Sequence, residues 1–347
     1  MNPFAKSADF VHQQYAHCES GVTTGLLRQV EAQLSEPMTF GIGNGIFFGH
    51  FPIVKVMNLP LTTFRSPPGA IAKKAFKRMG VTLGRERFSS EKAGQERLDS
   101  LLDQGFNVGA QVSVMWLPYL PKRFRFPFNA HHVVVVGMHG DEYLISDPVG
   151  EAMASCKKED FNRARFANGP LAPKGLIYYP TSHAQHRYPT QKIIAHAIKQ
   201  TAARMIYAPS PWIGTRGIQL LSRNMRKKWP TKFRDEPAKL HLHIAQVVRM
   251  AEEIGTGGAG FRFMYSAFLQ EVGEKFSHDA IGRASESMMR CGDEWRAFSA
   301  DAVRFCKGSS DISIGGVADR LELCASLERD TFKTLHRAAR TWSQRAQ

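Results

Sequence analysis

A run of four consecutive valines, Val133–Val136, constrains the fold of this chain more than any other feature. β-Branched residues favour strands, and an unbroken apolar run is typical of a strand that is buried on both faces. The run predicts a strand over residues 132–138, and a second strand is predicted over 142–146. Because only His139-Gly140-Asp141 separates the two strands, they are predicted to pair as a β-hairpin.

The rest of the first half predicts a helix and two more extended segments. Apolar residues recur at helical spacing over residues 21–33 and stop before Ser35-Glu36-Pro37, which predicts a helix that ends there. Extended segments are predicted at 110–117 and 175–179. A helix followed by a largely antiparallel sheet is an α+β arrangement.

The pattern becomes helical after residue 185. Four segments carry apolar residues at three- and four-residue spacing. They cover residues 240–254, 259–276, 280–298 and 317–342. We therefore expect two domains, an α+β domain over residues 1–185 and an α-helical domain over residues 186–347, and the length of 347 residues fits two domains.

Several classes of protein and site are excluded by composition. The five cysteines are scattered and form no C-x-x-C pair, so neither a disulfide framework nor a zinc site is expected, and no histidine spacing suggests another metal site. No stretch approaches the roughly 18–20 apolar residues of a membrane span, and the N-terminus lacks the apolar core of a signal peptide. We expect a cytoplasmic protein without a membrane span.

The chain is strongly basic. Its 46 Lys and Arg residues exceed its 31 Asp and Glu residues, and the segments 37–85 and 161–234 contain no acidic residue. A field of one sign steers partners of the opposite sign, which here would be nucleic acid, an anionic membrane surface or an acidic protein. The basic stretch 223–234 contains no recognised nucleic-acid-binding motif, so we expect no nucleic-acid partner.

Three residues have the placement of a nucleophile, a base and its orienting carboxylate. Cys18 lies just before the first predicted helix, where the positive end of the helix dipole stabilises a thiolate and free N–H groups can hold an oxyanion. Either His131 or His132 opens the valine strand, and Asp147 closes the next strand. Because the start of one hairpin strand lies beside the end of the other, Asp147 is predicted to contact one of these histidines and fix its tautomer. A Cys, His and Asp on these elements make a papain-like arrangement.

The residues around these positions resemble a known family. The stretch His12-x4-His17-Cys18-Glu19-Ser20 and the later Ser35–Ile46 segment, SEPMTFGIGNGI, resemble the N-terminal domain of the BtrH-like family, named after an acyltransferase of butirosin biosynthesis. The segment from His131 to Gly137 and the pair Asp147-Pro148 resemble the His and Asp segments of that family. They also resemble those of papain-like peptidases that remove double-glycine leaders.

The second half extends this resemblance. The segments 212–217, WIGTRG, and 255–262, GTGGAGFR, resemble the helical domain that commonly follows BtrH-like domains. The family's usual His-aromatic-Val-Val motif implies that His131 is the base and that His132 fills the aromatic position. The chain departs from the peptidases in one respect. They place a Gln about six residues before the Cys, and this chain has His12 at that position.

The resemblance implies acyl transfer from an acyl-carrier-protein thioester to a small-molecule amine in specialised metabolite biosynthesis. It implies no cofactor of the enzyme's own, since the carrier holds the 4′-phosphopantetheine. Cys18 would take the acyl group with His131 as base and Asp147 orienting it; alternatively, His131 deprotonates the amine directly and Cys18 only lines the tunnel. Three alternatives stay open: a thioester or amide hydrolase, a cyclase, and a non-catalytic binding or scaffold protein. The oligomeric state also stays open, and it includes a homo-oligomer.

The resemblance makes two further groups of residues candidates for binding the substrate and the carrier protein. His17, Glu36 and His132 are candidates for the substrate site, and Glu36 would either orient the acceptor or brace the site. Acyl carrier proteins are acidic, and their arm enters an enzyme beside basic residues. A cluster of four cations is therefore a candidate docking surface for the carrier: Lys73, Lys74, Lys77 and Arg78.

Overall fold

The computed structural model describes residues 10–56 and 58–344, and this part of the chain contains twelve α-helices and eight strands. The helices α1 to α12 are Cys18–Gln29, Glu36–Ile42, Ala70–Arg78, Glu91–Asp103, Lys158–Arg165, Gln191–Tyr207, Gly214–Arg223, Trp229–Lys232, Pro237–Glu252, Arg262–Lys275, Asp279–Cys306 and Ile314–Gln344. The strands β1 to β8 are Ile46–Val56, Leu59–Arg65, Leu83–Glu86, Val108–Val112, His131–His139, Glu142–Ser146, Ala154–Lys157 and Ile177–Pro180. No helix of the described residues is both long and apolar enough to cross a membrane.

The chain forms two compact units. The first contains the described residues up to Thr39 together with Pro68–Pro189, and the second contains Phe40–Pro67 together with Thr190–Gln347. The first unit combines α1 with an antiparallel sheet and the second is largely helical, so the predicted fold class is confirmed. The units differ from the predicted domains 1–185 and 186–347 in two respects: the boundary falls after Pro189, and Phe40–Pro67 belongs to the second unit. The hairpin of β1 and β2 forms its own sheet and contacts α6, α7 and α9, which places it in the second unit.

The first unit is built on one six-stranded sheet. Its strand order is β3-β8-β4-β5-β6-β7, and every neighbouring pair is antiparallel. The predicted hairpin is present as β5 and β6, with His139 opposite Glu142 across a two-residue turn. Gly140 in that turn has a φ of 58°, a conformation that favours glycine.

Both faces of the valine strand are covered. All four residues Val133–Val136 are buried, as their sequence predicts. Val133 and Val135 belong to a core that also contains Leu98 of α4 and Phe161 of α5, and α1 contacts β5 as well. The predicted strand over 110–117 is shorter than expected. It ends at Val112 because the Ser113 N–H group donates to the carbonyl of Ala164, and a 3₁₀ turn follows.

The second unit contains a fully buried ion pair. Arg262 and Glu328 are both 0 % exposed. The Arg262 Nε and Nη2 atoms lie 2.8 and 3.0 Å from the two carboxylate oxygens of Glu328, and the Trp295 Nε1 atom donates to Oε1 of the same carboxylate at 2.6 Å. The guanidinium carbon lies 5.3 Å from the ring centroids of both Phe64 and Trp295. This pair joins α10, α11 and α12 to the β2 strand within the unit.

We expect Glu328→Ala to destabilise the protein by about 3–5 kcal/mol, because it leaves a buried guanidinium without its counter-charge. The measurement is urea unfolding followed by tryptophan fluorescence. Asp319→Ala is the matched control, since Asp319 pairs with Arg226 on the exposed surface and such a pair contributes at most about 1 kcal/mol. Equal losses in the two variants would contradict a structural role for the buried pair.

Candidate active site

The first turn of α1 carries the candidate nucleophile. Cys18 is the first residue of α1, and the ring of His17 accepts a hydrogen bond from the Ser20 N–H group at 3.3 Å, which caps the helix. The N–H groups of a first helical turn have no intrahelical acceptor, and the helix dipole places partial positive charge there. Both features stabilise negative charge on the sulfur or on a carbonyl oxygen beside it.

Small residues let the chain before Cys18 lie close against α1. A Cβ atom at Gly21 would come within 2.7 Å of the Tyr15 Cβ atom, and one at Gly25 within 3.1 Å of the Phe10 ring. Residues four apart share one face of a helix. The chain therefore crosses this face of α1 before it turns into Cys18.

The hairpin of β5 and β6 brings His131 to Asp147. His131 is the first residue of β5, and Asp147 follows the last residue of β6. The His131 Nε2 atom lies 3.0 and 2.9 Å from the two carboxylate oxygens of Asp147. The Cys18 Sγ atom lies 3.9 Å from the carbonyl oxygen of Ala130, the residue before His131, and because Nε2 faces Asp147, Nδ1 is the ring nitrogen available to the sulfur. The structure therefore brings these three residues together.

This site is buried and charged. Cys18, His131 and Asp147 are 7, 4 and 1 % exposed. Burial disfavours the imidazolium form of His131, but the charge and hydrogen bond of Asp147, with a smaller contribution from Cys18, outweigh burial and raise the pKa of His131 to about 10. Burial also opposes ionisation of Asp147, yet His131 and the other donors hold the pKa of this carboxyl below its ordinary value. At neutral pH the site therefore holds an imidazolium–carboxylate pair beside the sulfur.

Two further donors hold the Asp147 carboxylate. The Tyr119 hydroxyl donates to Oδ2 at 2.9 Å, and the Val149 N–H group donates to Oδ1 at 3.1 Å. Burial and the neighbouring carboxylate raise the pKa of Tyr119 well above its ordinary value, so its hydroxyl stays protonated and remains a donor. Sequence reasoning missed Tyr119, because no spacing rule connects a residue in the loop after β4 to the end of β6.

The segment before Cys18 is fastened to the turn that carries Asp147. The Tyr15 N–H group donates to the carbonyl of Pro148 at 2.8 Å. The ring nitrogens of His12 lie 2.7 Å from the Ser146 hydroxyl oxygen and 3.1 Å from the Gly150 carbonyl oxygen. Because both ring nitrogens are used in this way, His12 does not serve as the oxyanion donor that a Gln supplies at this position in the resembling peptidases. It acts instead as a clamp between the two segments of the site.

Glu36 and His17 brace the approach to Cys18. The Glu36 carboxylate accepts hydrogen bonds from the N–H groups of Ala16 and His17, both at 2.9 Å, and from the Ser20 hydroxyl at 2.8 Å. Burial outweighs these donors and raises the pKa of Glu36 above its ordinary value. The His17 ring also lies 2.9 Å from the Ser20 hydroxyl. Of the two roles considered for Glu36, its contacts are those of a brace.

The other predicted site residues lie apart from the sulfur. His132 is fully buried, and its Nδ1 atom lies 2.9 Å from the Tyr178 hydroxyl, as expected for a residue that points to the opposite face of the strand from His131. On α3, Lys73 and Lys77 are exposed, while Lys74 and Arg78 are half-buried.

Helix α3 is attached next to the candidate nucleophile. The Glu19 side chain is fully buried, and its Oε1 atom accepts hydrogen bonds from the N–H groups of Ile71 and Ala72 at 2.9 and 3.2 Å. A carboxylate at a helix N-terminus is favoured by the helix dipole. The residue after Cys18 therefore anchors the start of the basic helix.

The remaining cysteines have different environments. All five cysteines are free. Burial raises the pKa of Cys156 and of Cys291 to about 12, that of Cys324 well above its ordinary value, and that of Cys306 to a smaller degree. These four side chains therefore stay as thiols at neutral pH. Among the described residues, no three His, Cys, Asp or Glu side chains are grouped as a metal site.

Two family models match the chain. Residues 17–148 match the model described as Butirosin biosynthesis protein H, N-terminal, and this match includes Cys18, His131 and Asp147. Residues 159–335 match the model described as Domain of unknown function (DUF4872). Among solved structures, a Bacillus anthracis protein described as a C39-like peptidase is similar with 14 % identity and a TM-score of 0.36, over 52 % of this chain and 98 % of that one. No curated protein matches the chain.

We expect Asp147→Asn to slow the alkylation of Cys18 by iodoacetamide about tenfold or more at pH 6.5, because a nearby cation favours the reactive thiolate. Without the carboxylate, burial outweighs the smaller contribution from Cys18 and favours the neutral imidazole of His131, so the cation beside the sulfur is lost. The rates of wild type and variant should converge as the pH rises through about 10, where the wild-type His131 also loses its proton.

The site of alkylation is identified by peptide mass spectrometry, and Cys18→Ser gives the background from the other cysteines. Asp141→Asn is the matched control because Asp141 is an exposed residue of the hairpin turn. An Asp147→Asn variant that reacts at the wild-type rate at pH 6.5 would show that this carboxylate does not set the charge of His131.

Proposed function

The chain belongs to the DUF4872 family and has a BtrH-like N-terminal domain, and we propose on this premise that it is a cysteine-dependent acyltransferase. It would move an acyl group from the thioester of an acyl carrier protein to a small-molecule amine in specialised metabolite biosynthesis. The observation that carries the proposal is the buried His131–Asp147 pair, which lies beside Cys18 because the Cys18 Sγ atom is 3.9 Å from the carbonyl of Ala130, the residue before His131.

The first half-reaction loads Cys18. The Cys18 thiolate attacks the carbonyl carbon of the carrier thioester, and the N–H groups at the start of α1 stabilise the oxyanion that forms. As the tetrahedral intermediate collapses, the carbon–sulfur bond to the 4′-phosphopantetheine arm breaks. His131 gives its proton to the departing thiolate, which leaves an acyl-Cys18 thioester and a neutral imidazole.

The second half-reaction restores the resting state. The amine of the acceptor attacks the acyl-Cys18 carbonyl, and the neutral His131 ring accepts the proton that the amine loses. The bond to the Cys18 sulfur then breaks, an amide is released, and the thiolate–imidazolium pair forms again. Asp147 keeps the ring oriented through both steps by its bonds to Nε2.

The charge of His131 favours this covalent route over direct transfer. An imidazolium cannot accept a proton, so a His131 ring with a pKa of about 10 is a poor base for an amine that attacks the carrier thioester directly. It becomes a base only after it has protonated the first leaving group. The small exposure of the three residues favours an amine over water as acceptor, because a buried site excludes water from the acyl-enzyme.

The proposed carrier would dock on α3. Acyl carrier proteins are acidic, and α3 exposes Lys73 and Lys77 one turn apart while its first turn is bonded to Glu19, next to Cys18. Lys74 and Arg78 extend the same positive field. A carrier held there would have its arm within reach of the sulfur.

We expect mixing with acyl-loaded carrier protein to add one acyl mass to the wild-type chain and none to Cys18→Ala, because the thioester forms on the Cys18 sulfur. The measurement is intact-protein mass spectrometry before an amine is added. Cys156→Ala, which alters a buried thiol of the same unit, should still carry the adduct.

Each alternative has its own outcome in this experiment. Turnover with an amine but no adduct would favour direct transfer with His131 as base. Release of free acid at full rate without an amine would identify a hydrolase. Neither adduct nor turnover with any acyl group would contradict the proposed activity and favour a binding protein.

We expect Lys73→Glu/Lys77→Glu to lower kcat/KM for the carrier-bound substrate about tenfold or more, because close like charges oppose docking of an acidic partner. The same variant should turn over a small-molecule thioester of the same acyl group at the wild-type rate. Lys92→Glu/Lys239→Glu is the charge-matched control, since both residues are exposed on other helices. An equal loss in this control would show that net charge, and not α3, decides docking.

A further inference from the structure

The loop between β4 and β5 of the first unit carries exposed aromatic side chains. Among the described residues, every exposed tryptophan and phenylalanine lies between β4 and β5. Trp116, Phe124 and Phe126 are 44, 49 and 37 % exposed, and Met115 is 42 % exposed. The other described Trp and Phe residues are buried or half-buried. These exposed side chains of one loop, called the patch below, indicate a surface that meets an apolar environment.

The same loop carries cations and no acidic residue. Lys122 and Arg123 are exposed and Arg125 is half-buried, and no Asp or Glu occurs from residue 104 to residue 140. The Arg123 guanidinium lies 4.7 Å from the centroid of the Phe124 ring. Charge and apolar surface are therefore interleaved within a few residues.

The composition of the loop discriminates between partners. Residues 114–128, VMWLPYLPKRFRFPF, contain no Ser, Thr, Asn, Gln, Asp or Glu. Protein interfaces form about one hydrogen bond per 100–200 Å² between mixed donors and acceptors. The side chains of this loop, however, are apolar or positively charged apart from the Tyr119 hydroxyl, which is bound to Asp147. Apolar surface and positive charge are the two properties that match the boundary between lipid hydrocarbon and anionic headgroups.

The loop is closed at its base and fixed in its interior. The Val114 N–H group donates to the carbonyl of Phe128 at 3.1 Å, which closes the base of the loop, and Tyr119 fixes its interior to Asp147. We propose that this closed loop, residues 115–127, is a peripheral binding site for an anionic lipid surface. Its aromatic side chains enter the headgroup region while Lys122, Arg123 and Arg125 contact lipid phosphates. The proposal is independent of the acyltransferase activity.

The test is flotation of the full chain with vesicles. We expect the wild type to float with vesicles of equal parts phosphatidylcholine and phosphatidylglycerol, and not with phosphatidylcholine alone. Lys122→Gln/Arg123→Gln should weaken partitioning about 25-fold, since each cation near such a surface contributes about fivefold. Lys73→Gln/Lys77→Gln on α3 is the matched control, because it removes two exposed cations from a helix without exposed aromatic residues, and it should change partitioning much less.

Two further variants test insertion of the rings. Phe124→Ser/Phe126→Ser should weaken partitioning at unchanged charge. Lipids brominated near the headgroup should quench the fluorescence of Trp116, and Trp116→Phe should abolish that quenching while the protein still floats. Since these side chains are exposed, the variants should keep the wild-type circular dichroism spectrum and melting temperature.

Several results would overturn the proposal. One is a wild type that does not float with phosphatidylglycerol vesicles. Another is an α3 control that loses as much binding as the loop variant, which would reduce the effect to net charge. Unchanged partitioning of Phe124→Ser/Phe126→Ser would exclude ring insertion. Loop variants that raise the KM for a carrier-bound substrate without changing flotation would assign the patch to a protein partner.

Discussion

The buried carboxylate of Asp147 is the charge on which the arrangement of the first unit depends. A carboxylate that is 1 % exposed stays ionised only if donors replace the water it has lost. Here the donors are the His131 ring, the Tyr119 hydroxyl and the Val149 N–H group. They come from β5, from the loop after β4 and from the turn after β6, so satisfying this one charge fixes three segments relative to one another.

Cys18 is connected to the same turn. The bond from Tyr15 to Pro148 and the two bonds of His12 attach the segment before Cys18 to the residues on either side of Asp147. On its other side this segment is held by Glu36. Each of these bonds positions the sulfur without touching it. The geometry of the site therefore depends on these connections between backbone segments as much as on the side chains of Cys18, His131 and Asp147.

Sequence reasoning reached the parts of this site that depend on local rules. Four valines and a short turn specify a buried hairpin, and antiparallel pairing then places the start of β5 beside the end of β6. These two rules are enough to pair Asp147 with a histidine at the start of the valine strand. The choice between His131 and His132 needed the resemblance, because alternation in a strand says that the two rings face apart but not which of them faces Cys18.

The remaining parts depend on contacts between residues far apart in the chain. Tyr119 is 28 residues from Asp147, and Glu328 is 66 residues from its partner Arg262. No periodicity links such pairs. The placement of β1 and β2, which the sequence analysis did not predict as strands, has the same origin, because it follows from their contacts with α6, α7 and α9.

The charge of His131 also sets the order of the two half-reactions in the proposed mechanism. While the ring is an imidazolium it can give a proton to a leaving thiolate and cannot take one from an amine. The carrier must therefore react first, and the acceptor amine finds a base only in the acyl-enzyme. A mechanism of this kind releases the carrier before the amide forms, which is the pattern of ping-pong kinetics. In the proposed mechanism, the same buried carboxylate that fixes the backbone of the first unit thus also determines the order of the proton transfers.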